Sequence, residues 1–279
     1  MSYEAEISRR SPAFLLFVLD QSTSMGHPIA EGTSKAAYVA DVLNRTFLTI
    51  ISTSTKVDGV RDYFFFSVIA YSGVDARPGL ALVSVSDWFV PASRLAAHPI
   101  RVETRERKVE GPSGELVTQN VKFPVWFEPV SRGKTSMCAG LRMAKSLIQE
   151  WFEGHPGSYP PTVLHVTDGH PTDGDPEPIA DEIRQLANRD GAALLFNLHV
   201  DVGSGGSIVF PNSEAKLKDK YAKKLFRMSS ELPPRLLAGA QQRGYSLAAG
   251  ARGFMFNASL ESIVDFFDLG TRPSAIADR

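Results

Sequence analysis

Short apolar runs that end in polar turns recur along the chain and predict buried strands. Residues 14–19 (FLLFVL), 162–167 (TVLHVT) and 192–202 (AALLFNLHVDV) are almost continuously hydrophobic, as is typical of strands covered on both faces in a parallel sheet. Residues 63–70 (YFFFSVIA) and 253–257 (GFMFN) are similar. The sequence therefore predicts several strands of one central sheet.

The segments between these strands have apolar residues at helical spacing. A first helix, with Thr33 as its predicted N-cap, has an apolar face formed by Ala36, Val39, Leu43, Phe47 and Ile50. A second, from about residue 136 to 151, has one formed by Leu141, Ala144, Ile148 and Trp151. Residues 211–244 predict two helical pieces split near Pro233, and lysines make residues 216–224 locally basic. The alternation predicts an α/β fold, a Rossmann-like open and mostly parallel sheet with helices on both faces.

Residues 74–128 break this alternation and predict an inserted β-ribbon. They show no helical pattern, but two extended segments joined by residues 111–114 (GPSG). The second segment alternates, with one face formed by Val117, Val121, Phe123, Val125 and Phe127, which predicts a hairpin packed on one side. The first contains a basic cluster of Arg101, Arg105, Arg107 and Lys108. This cluster is either a contact surface or the charged edge of an exposed strand.

Composition restricts the classes of partner and compartment. Thirty basic and thirty-one acidic residues leave no overall field that would attract the chain to nucleic acid or to a membrane. The single cysteine, Cys138, has no partner within the chain and suits a reducing compartment. No run of about 18 apolar residues or typical signal sequence is found, so we expect a cytoplasmic location. We predict an N-terminal arm (1–12), one domain (13–270) and a tail (271–279).

Oxygen-bearing side chains follow two of the predicted strands. Asp20, Ser22 and Ser24 come directly after the first strand, and Asp168 comes directly after residues 162–167. Thr135 precedes the second helix. Since ligands of such sheets bind beyond the carboxyl ends of the strands, these side chains are expected to share one edge. Carboxylate and hydroxyl oxygens suit a small hard cation such as Mg²⁺.

These segments resemble the metal-ion-dependent adhesion site of von Willebrand factor A (VWA) domains. The matching residues are 20–24 (DQSTS), 133–136 (GKTS) and 166–169 (VTDG), in the order that this family shows. The chain is also similar to stand-alone bacterial VWA proteins of tellurium-resistance and kinase-phosphatase clusters. The ribbon is absent from minimal adhesion-type VWA domains, so the resemblance gives no reason to expect an extracellular matrix ligand.

The resemblance implies a binding function without turnover. Ser22, Ser24 and Thr135 would hold Mg²⁺ or Mn²⁺, with Ca²⁺ as a further option, while Asp20 and Asp168 act directly or through water. One coordination position is left open for an Asp or Glu of a protein partner. The chain would then be a scaffold in an intracellular bacterial assembly. The sequence does not identify the partner or the oligomeric state.

Two other functions fit the same residues less well. A metal-dependent hydrolase of phosphate esters needs a general base, for which His170 is the obvious candidate and His27 lies near the other turn. The chain could also be an accessory subunit of an ATPase or chelatase machine. Asp173 and Asp175 could hold a second ion, although capping of a helix that begins near Pro176 is the simpler interpretation.

Overall fold

The computed structural model describes residues 3–30, 32–82, 87–110, 115–200 and 207–257. The predicted turn at 111–114, the end of the predicted domain (258–270) and the predicted tail lie outside these residues. In chain order, the strands are β1 (Ala13–Asp20), β2 (Pro28–Ala30), β3 (Thr33–Ser34), β4 (Thr55–Lys56), β5 (Gly59–Val60), β6 (Phe64–Ser72), β7 (Asp75–Pro78), β8 (Val90–Pro91), β9 (Arg101–Glu110), β10 (Leu116–Val125), β11 (Thr162–Thr167), β12 (Leu194–His199), β13 (Ile208–Val209) and β14 (Phe254–Phe256). The α-helices are α1 (Lys35–Ser54), α2 (Ala92–Ala97), α3 (Met137–Gly154), α4 (Glu177–Gln185), α5 (Lys220–Met228) and α6 (Pro234–Gln242).

A mostly parallel sheet forms the centre of the molecule, as predicted. Its order is β13-β14-β12-β11-β1-β6-β7, with β8 also paired to β6. The neighbours from β14 to β6 are parallel, whereas β13, β7 and β8 pair antiparallel at the ends. The chain leaves β1 for β6 on one side and later returns to β11 on the other. The carboxyl ends of β1 and β11 therefore flank a topological switch point, where such sheets form binding crevices.

Helices cover both faces of the sheet because each has an apolar stripe. Side chains of α1, α2 and α6 contribute to the core on one face, and side chains of α3, α4 and α5 contribute to the core on the other. The predicted stripes of α1 and α3 are confirmed: all nine of their residues are buried. Within the described residues, no helix is long and apolar enough to cross a membrane.

Two local predictions about helices were wrong. The N-cap of α1 is Ser34 rather than Thr33, because Ser34 Oγ accepts the Ala37 N–H at 3.1 Å. Residues 74–128 also include a helix, α2, which begins directly after Pro91. Six residues are too few to show a helical period, so the sequence pattern missed it.

The β-ribbon exists, but it is shorter than predicted and packs only at its base. Strands β9 and β10 pair with each other alone. Phe123 and Val125 are buried, whereas Val117 is 40% exposed and Leu116 is 72% exposed. The predicted one-sided packing therefore holds only near residues 123–127.

A buried asparagine of α1 fixes the point where the ribbon returns to the domain. Asn44 Oδ1 accepts the N–H groups of Trp126 and Phe127, at 2.8 and 3.1 Å. Asn44 Nδ2 donates to the Phe127 carbonyl at 2.9 Å. These bonds satisfy backbone groups that leave the ribbon ladder inside the protein.

Candidate metal centre

Asp20 is the last residue of β1, and its carboxylate is held within the protein. The residue is 3% exposed. Its Oδ1 accepts the Ser22 N–H at 2.8 Å, which shapes the turn after the strand. Its Oδ2 accepts the hydroxyl of Thr167, the last residue of β11, at 2.6 Å. Asp20 therefore links the two strands that flank the switch point.

A line of hydroxyls connects this turn to Asp168. Ser24 Oγ donates to Asp168 Oδ1 at 2.6 Å. Ser22 Oγ lies 3.1 Å from Ser24 Oγ. Because the one hydroxyl proton of Ser24 is directed to Asp168, Ser22 is the donor to Ser24. Ser24 Oγ then keeps one free lone pair and Ser22 Oγ keeps two, so both hydroxyls can still act as oxygen ligands.

Thr135 belongs to the loop before α3 and lies in the same site as the β1 turn and Asp168. Its carbonyl accepts both the N–H and the hydroxyl of Thr172, at 2.9 and 3.0 Å. The preceding loop is tied to the β1 turn by the Thr23 N–H, which donates to the Gly133 carbonyl at 3.0 Å. Gly133 has a φ of +78°, and a side chain there would lie 2.9 Å from the Gly73 nitrogen. A glycine is therefore needed for this close approach.

Gly169 shows how closely the hydroxyls converge. A methyl group placed on it would lie 3.4 Å from Thr135 Oγ1 and 3.5 Å from Ser24 Oγ. Two hydroxyls from loops far apart in sequence thus face one small space beside a residue without a side chain. Thr135 is only 6% exposed. The structure therefore brings together all five of the predicted residues.

A lysine that the sequence analysis missed also lies in the site. Lys35 is the first residue of α1, and its Nζ donates to Asp168 Oδ2 at 2.9 Å. The two side chains are 7% and 1% exposed. A signal was present, since a lysine at a predicted helix N-terminus opposes the helix dipole and is expected to have an acidic partner. Nothing in the sequence indicated which acid this was.

Burial and a neighbouring carboxylate destabilise the ionised form of Asp20. Burial raises its pKa to about 6, and the nearby charge of Asp168 adds to the increase. Hydrogen bonds from Thr167 and Ser22 act in the opposite direction. A divalent cation beside the carboxylate would favour its ionised form.

The donor set is compatible with a hard cation. Nowhere in the described residues do three His, Cys, Asp or Glu side chains form a metal-binding group. The candidate centre instead combines two carboxylates with three hydroxyls. The Thr135 and Ser24 hydroxyls, which both face the space beside Gly169, fit an oxygen-bound ion such as Mg²⁺ or Mn²⁺.

The other predicted candidates have different surroundings. His170 is exposed and its ring stacks on Tyr221, while partial burial lowers its pKa. His27 is exposed. Cys138 is buried, and burial raises the pKa of its thiol to about 11, which disfavours a reactive thiolate.

The prediction for Asp173 was wrong in detail. Its carboxylate accepts the N–H groups of Cys138 and Ala139, at 3.1 and 2.9 Å, and so caps α3 rather than the helix after Pro176. Asp175 does cap that helix, α4, by accepting the Glu177 N–H at 3.3 Å, and it also pairs with Lys224. The sequence did not show that Asp173 faces a helix that begins 36 residues earlier.

Buried polar side chains extend beneath the site on the α3–α5 face of the sheet. Tyr71 Oη lies 2.8 Å from His165 Nε2, and His165 Nδ1 lies 2.7 Å from Asn197 Oδ1. Asn197 in turn donates to Ser229 Oγ at 2.9 Å. Burial lowers the pKa of His165 to about 4, so this histidine is neutral at physiological pH.

Comparisons with known proteins give only distant similarities. No protein-family model and no curated protein matches the sequence. Among solved structures, the vWF domain of the type V pili tip protein Mfa5 from Porphyromonas gingivalis is 14% identical with a TM-score of 0.34, and the match covers 58% of this chain and 39% of that one. The ArnB paralog VWA2 from Sulfolobus acidocaldarius is 12% identical with a TM-score of 0.36, and the match covers 68% and 35%.

A third structure, the PilB minor pilin from Streptococcus sanguinis, is 10% identical with a TM-score of 0.34. That match covers 57% of this chain and 30% of the pilin. The chain thus spans well under half the length of these structures.

Proposed function

We propose that the chain is a VWA-type protein-recognition module that binds one divalent cation, Mg²⁺ or Mn²⁺, at the switch point of its sheet. The ligands would be Asp20, Ser22, Ser24, Thr135 and Asp168. When bound, the cation supplies an open coordination position for an Asp or Glu side chain of a protein partner. The observation that best supports this proposal is that the Ser24 and Thr135 hydroxyls both face the space beside Gly169.

The protein's own residues fix the geometry of this site. Thr167 and the Ser22 N–H hold both oxygens of Asp20, so the carboxylate lies in one orientation. Ser24 holds Asp168 in the same way. Because these groups are ordered by the fold, little side-chain freedom is lost when a ligand binds. We propose a binding role without turnover.

Calorimetric titration of the chelator-treated protein with Mn²⁺ and Mg²⁺ tests the cation site. We expect saturable binding of about one ion per chain, because the five oxygens converge on a single space. Asp20→Ala and Asp168→Ala should abolish it. Asp175→Ala is the matched control, because this aspartate lies in the same loop region but its carboxylate pairs with Lys224. Circular dichroism would verify that each variant is folded.

The titration is repeated with sodium acetate present, because acetate carries the same carboxylate group as the proposed Asp or Glu of the partner. If wild-type protein binds no ion even with acetate present, the proposal is wrong. If Asp168→Ala binds as well as Asp175→Ala does, the proposed ligand set is wrong. A metal-dependent protein partner should lose affinity both in chelator and in the Asp168→Ala variant.

A further inference from the structure

Lys35 occupies a position that is costly for protein stability. Its ammonium is almost fully buried, and removal of a charge from water is unfavourable. It also begins a 20-residue helix, where the helix dipole disfavours positive charge. An apolar side chain of similar length would avoid both costs. A lysine at this point therefore suggests a role in binding.

The contacts of Asp168 show that the ammonium belongs to the site. Lys35 donates to Oδ2 and Ser24 donates to Oδ1, so the two oxygens are divided between the ammonium and the hydroxyl line. The ammonium therefore reaches Asp168 without displacing Ser24. A cation bound by the hydroxyls and Lys35 would share Asp168 as a neighbour.

The ammonium changes the charge that a cation would meet in the site. It places one positive charge beside Asp168, so it repels a divalent cation and weakens the attraction that the two carboxylates exert. A carboxylate that enters together with the cation offsets the charge of the ammonium. Without the lysine, the two carboxylates would attract the dication more strongly, and less would be gained from a further anion.

We infer that Lys35 is a specificity-determining residue that weakens binding of the cation alone and makes it depend on a carboxylate from the partner. This inference rests on the proposed cation site. Lys35 would lower the affinity of the free protein for the ion, and an acidic side chain would bind together with the ion. Neutral partners would gain little from the cation.

Mn²⁺ titrations of wild type, Lys35→Met and Lys35→Arg, each in acetate or in chloride of equal ionic strength, test this inference. Wild type should bind Mn²⁺ more tightly in acetate than in chloride. Lys35→Met should bind Mn²⁺ in chloride more tightly than wild type by on the order of tenfold or more, the scale expected for one charge beside a dication. It should also gain little from acetate. Lys35→Arg keeps the charge and should resemble wild type.

Thermal unfolding gives a second readout that does not depend on measured affinity. In chelator, Lys35→Met leaves the Asp168 carboxylate buried without its ammonium and should lower the unfolding midpoint. Saturating Mn²⁺ should restore more of the midpoint in this variant than in wild type. The double variant Lys35→Met/Asp168→Asn removes both charges and tests whether the fold tolerates methionine at this position. A double variant that does not fold would overturn the view that lysine is there for binding rather than folding.

The outcomes separate this inference from the proposed function. Equal Mn²⁺ affinity of wild type and Lys35→Met, with the same response to acetate, would overturn the role of Lys35 and leave the cation site intact. If neither protein binds Mn²⁺ in acetate, both proposals fail. Binding by Lys35→Met alone would identify the ammonium as a permanent replacement for the metal, which overturns both proposals for the natural protein.

Discussion

The switch-point site and the β9–β10 ribbon both contain many charged and polar side chains, but they hold them differently. At the switch point, the side chains of Asp20, Asp168 and Lys35 are buried, and each contacts a side chain that lies more than a hundred residues away in sequence. On the ribbon, Arg101 and Glu103 are partly exposed and lie two residues apart. Buried groups must be fully paired, whereas exposed groups exchange partners with water at little cost.

On the ribbon, ion pairs within the chain account for Arg101 and Arg105, two of the four residues of its basic cluster. Arg101 pairs with Glu103 and Glu128. Arg105 pairs with Glu103 and Asp41, and its guanidinium lies 3.5 Å from the centre of the Phe123 ring. Of the two interpretations of this cluster, the charged edge of an exposed strand needs no further partner. The comparison teaches that a cluster of charges points to a ligand only when the fold buries and orients it.

The largest expected effect comes from breaking the buried ion pair of Asp168 and Lys35 at the switch point. Asp168→Asn removes the buried carboxylate charge that the Lys35 ammonium contacts, and we expect a loss of roughly 3–5 kcal/mol in unfolding free energy in chelator. Glu103→Gln on the ribbon should cost less than about 1 kcal/mol, because its pairs with arginine face solvent. Urea unfolding of both variants measures the difference. Equal losses would show that the buried pair contributes no more than an exposed one.

The second effect comes from the neutral histidine beneath the site. The pKa of His165 is about 4 in the folded protein and 6.5 as its ordinary value, so the unfolded chain binds more protons between these pH values. Stability should therefore fall as the pH drops through this window. His165→Gln lacks this group, and relative to wild type it should gain about 3 kcal/mol between pH 7 and pH 4.

Urea unfolding of both proteins across this pH range, in chelator, measures that gain. Asp20 also titrates near this window, but it is present in both proteins and its contribution cancels in the difference. A difference that stays constant with pH would mean that His165 is protonated in the folded state at pH 4 to 6.5, or that it lies in contact with water.

The parts of the molecule that the sequence predicted are those governed by local pattern. Runs such as residues 162–167 are apolar because both faces of the strand are covered, and the predicted bounds of β11 agree with the structure. The proximity of the five oxygen-bearing residues could be predicted because strand order places the ends of β1 and β11 together. Whether they bind a metal stays a prediction.

The features that the sequence did not predict depend on tertiary contacts, and these contacts leave no local pattern in the sequence. Lys35 lies 133 residues from Asp168, and the sequence offers several acids at comparable positions. The alternation of Val117 and Val121 predicted a buried face, but no element of the described chain covers the outer half of the ribbon enough to bury Val117. Periodicity shows which side chains share a face, and only the tertiary structure shows what that face contacts.

A third, smaller effect tests the junction between the two regions. Asn44→Ala removes three hydrogen bonds to the chain segment that leaves the ribbon, and buried backbone groups of Trp126 and Phe127 lose their partners. We expect a loss of roughly 2–3 kcal/mol. Arg45→Ala, at a neighbouring and exposed position of α1, is the control and should change stability by less than about 1 kcal/mol. If the two variants unfold alike, Asn44 does not anchor the ribbon.

The smallest effect separates the base of the ribbon from its outer half. Val117 is 40% exposed and Val125 is 2% exposed, although both lie on β10 and on the same predicted face. Valine to threonine keeps the shape and adds a hydroxyl, which must be desolvated only where the side chain is buried. Val125→Thr should therefore cost roughly 1–2 kcal/mol, whereas Val117→Thr should change stability by less than about 0.5 kcal/mol. If Val117→Thr were as costly as Val125→Thr, the outer half of the ribbon would have to be covered in solution, and the ribbon rather than the switch point would become the first place to look for a partner.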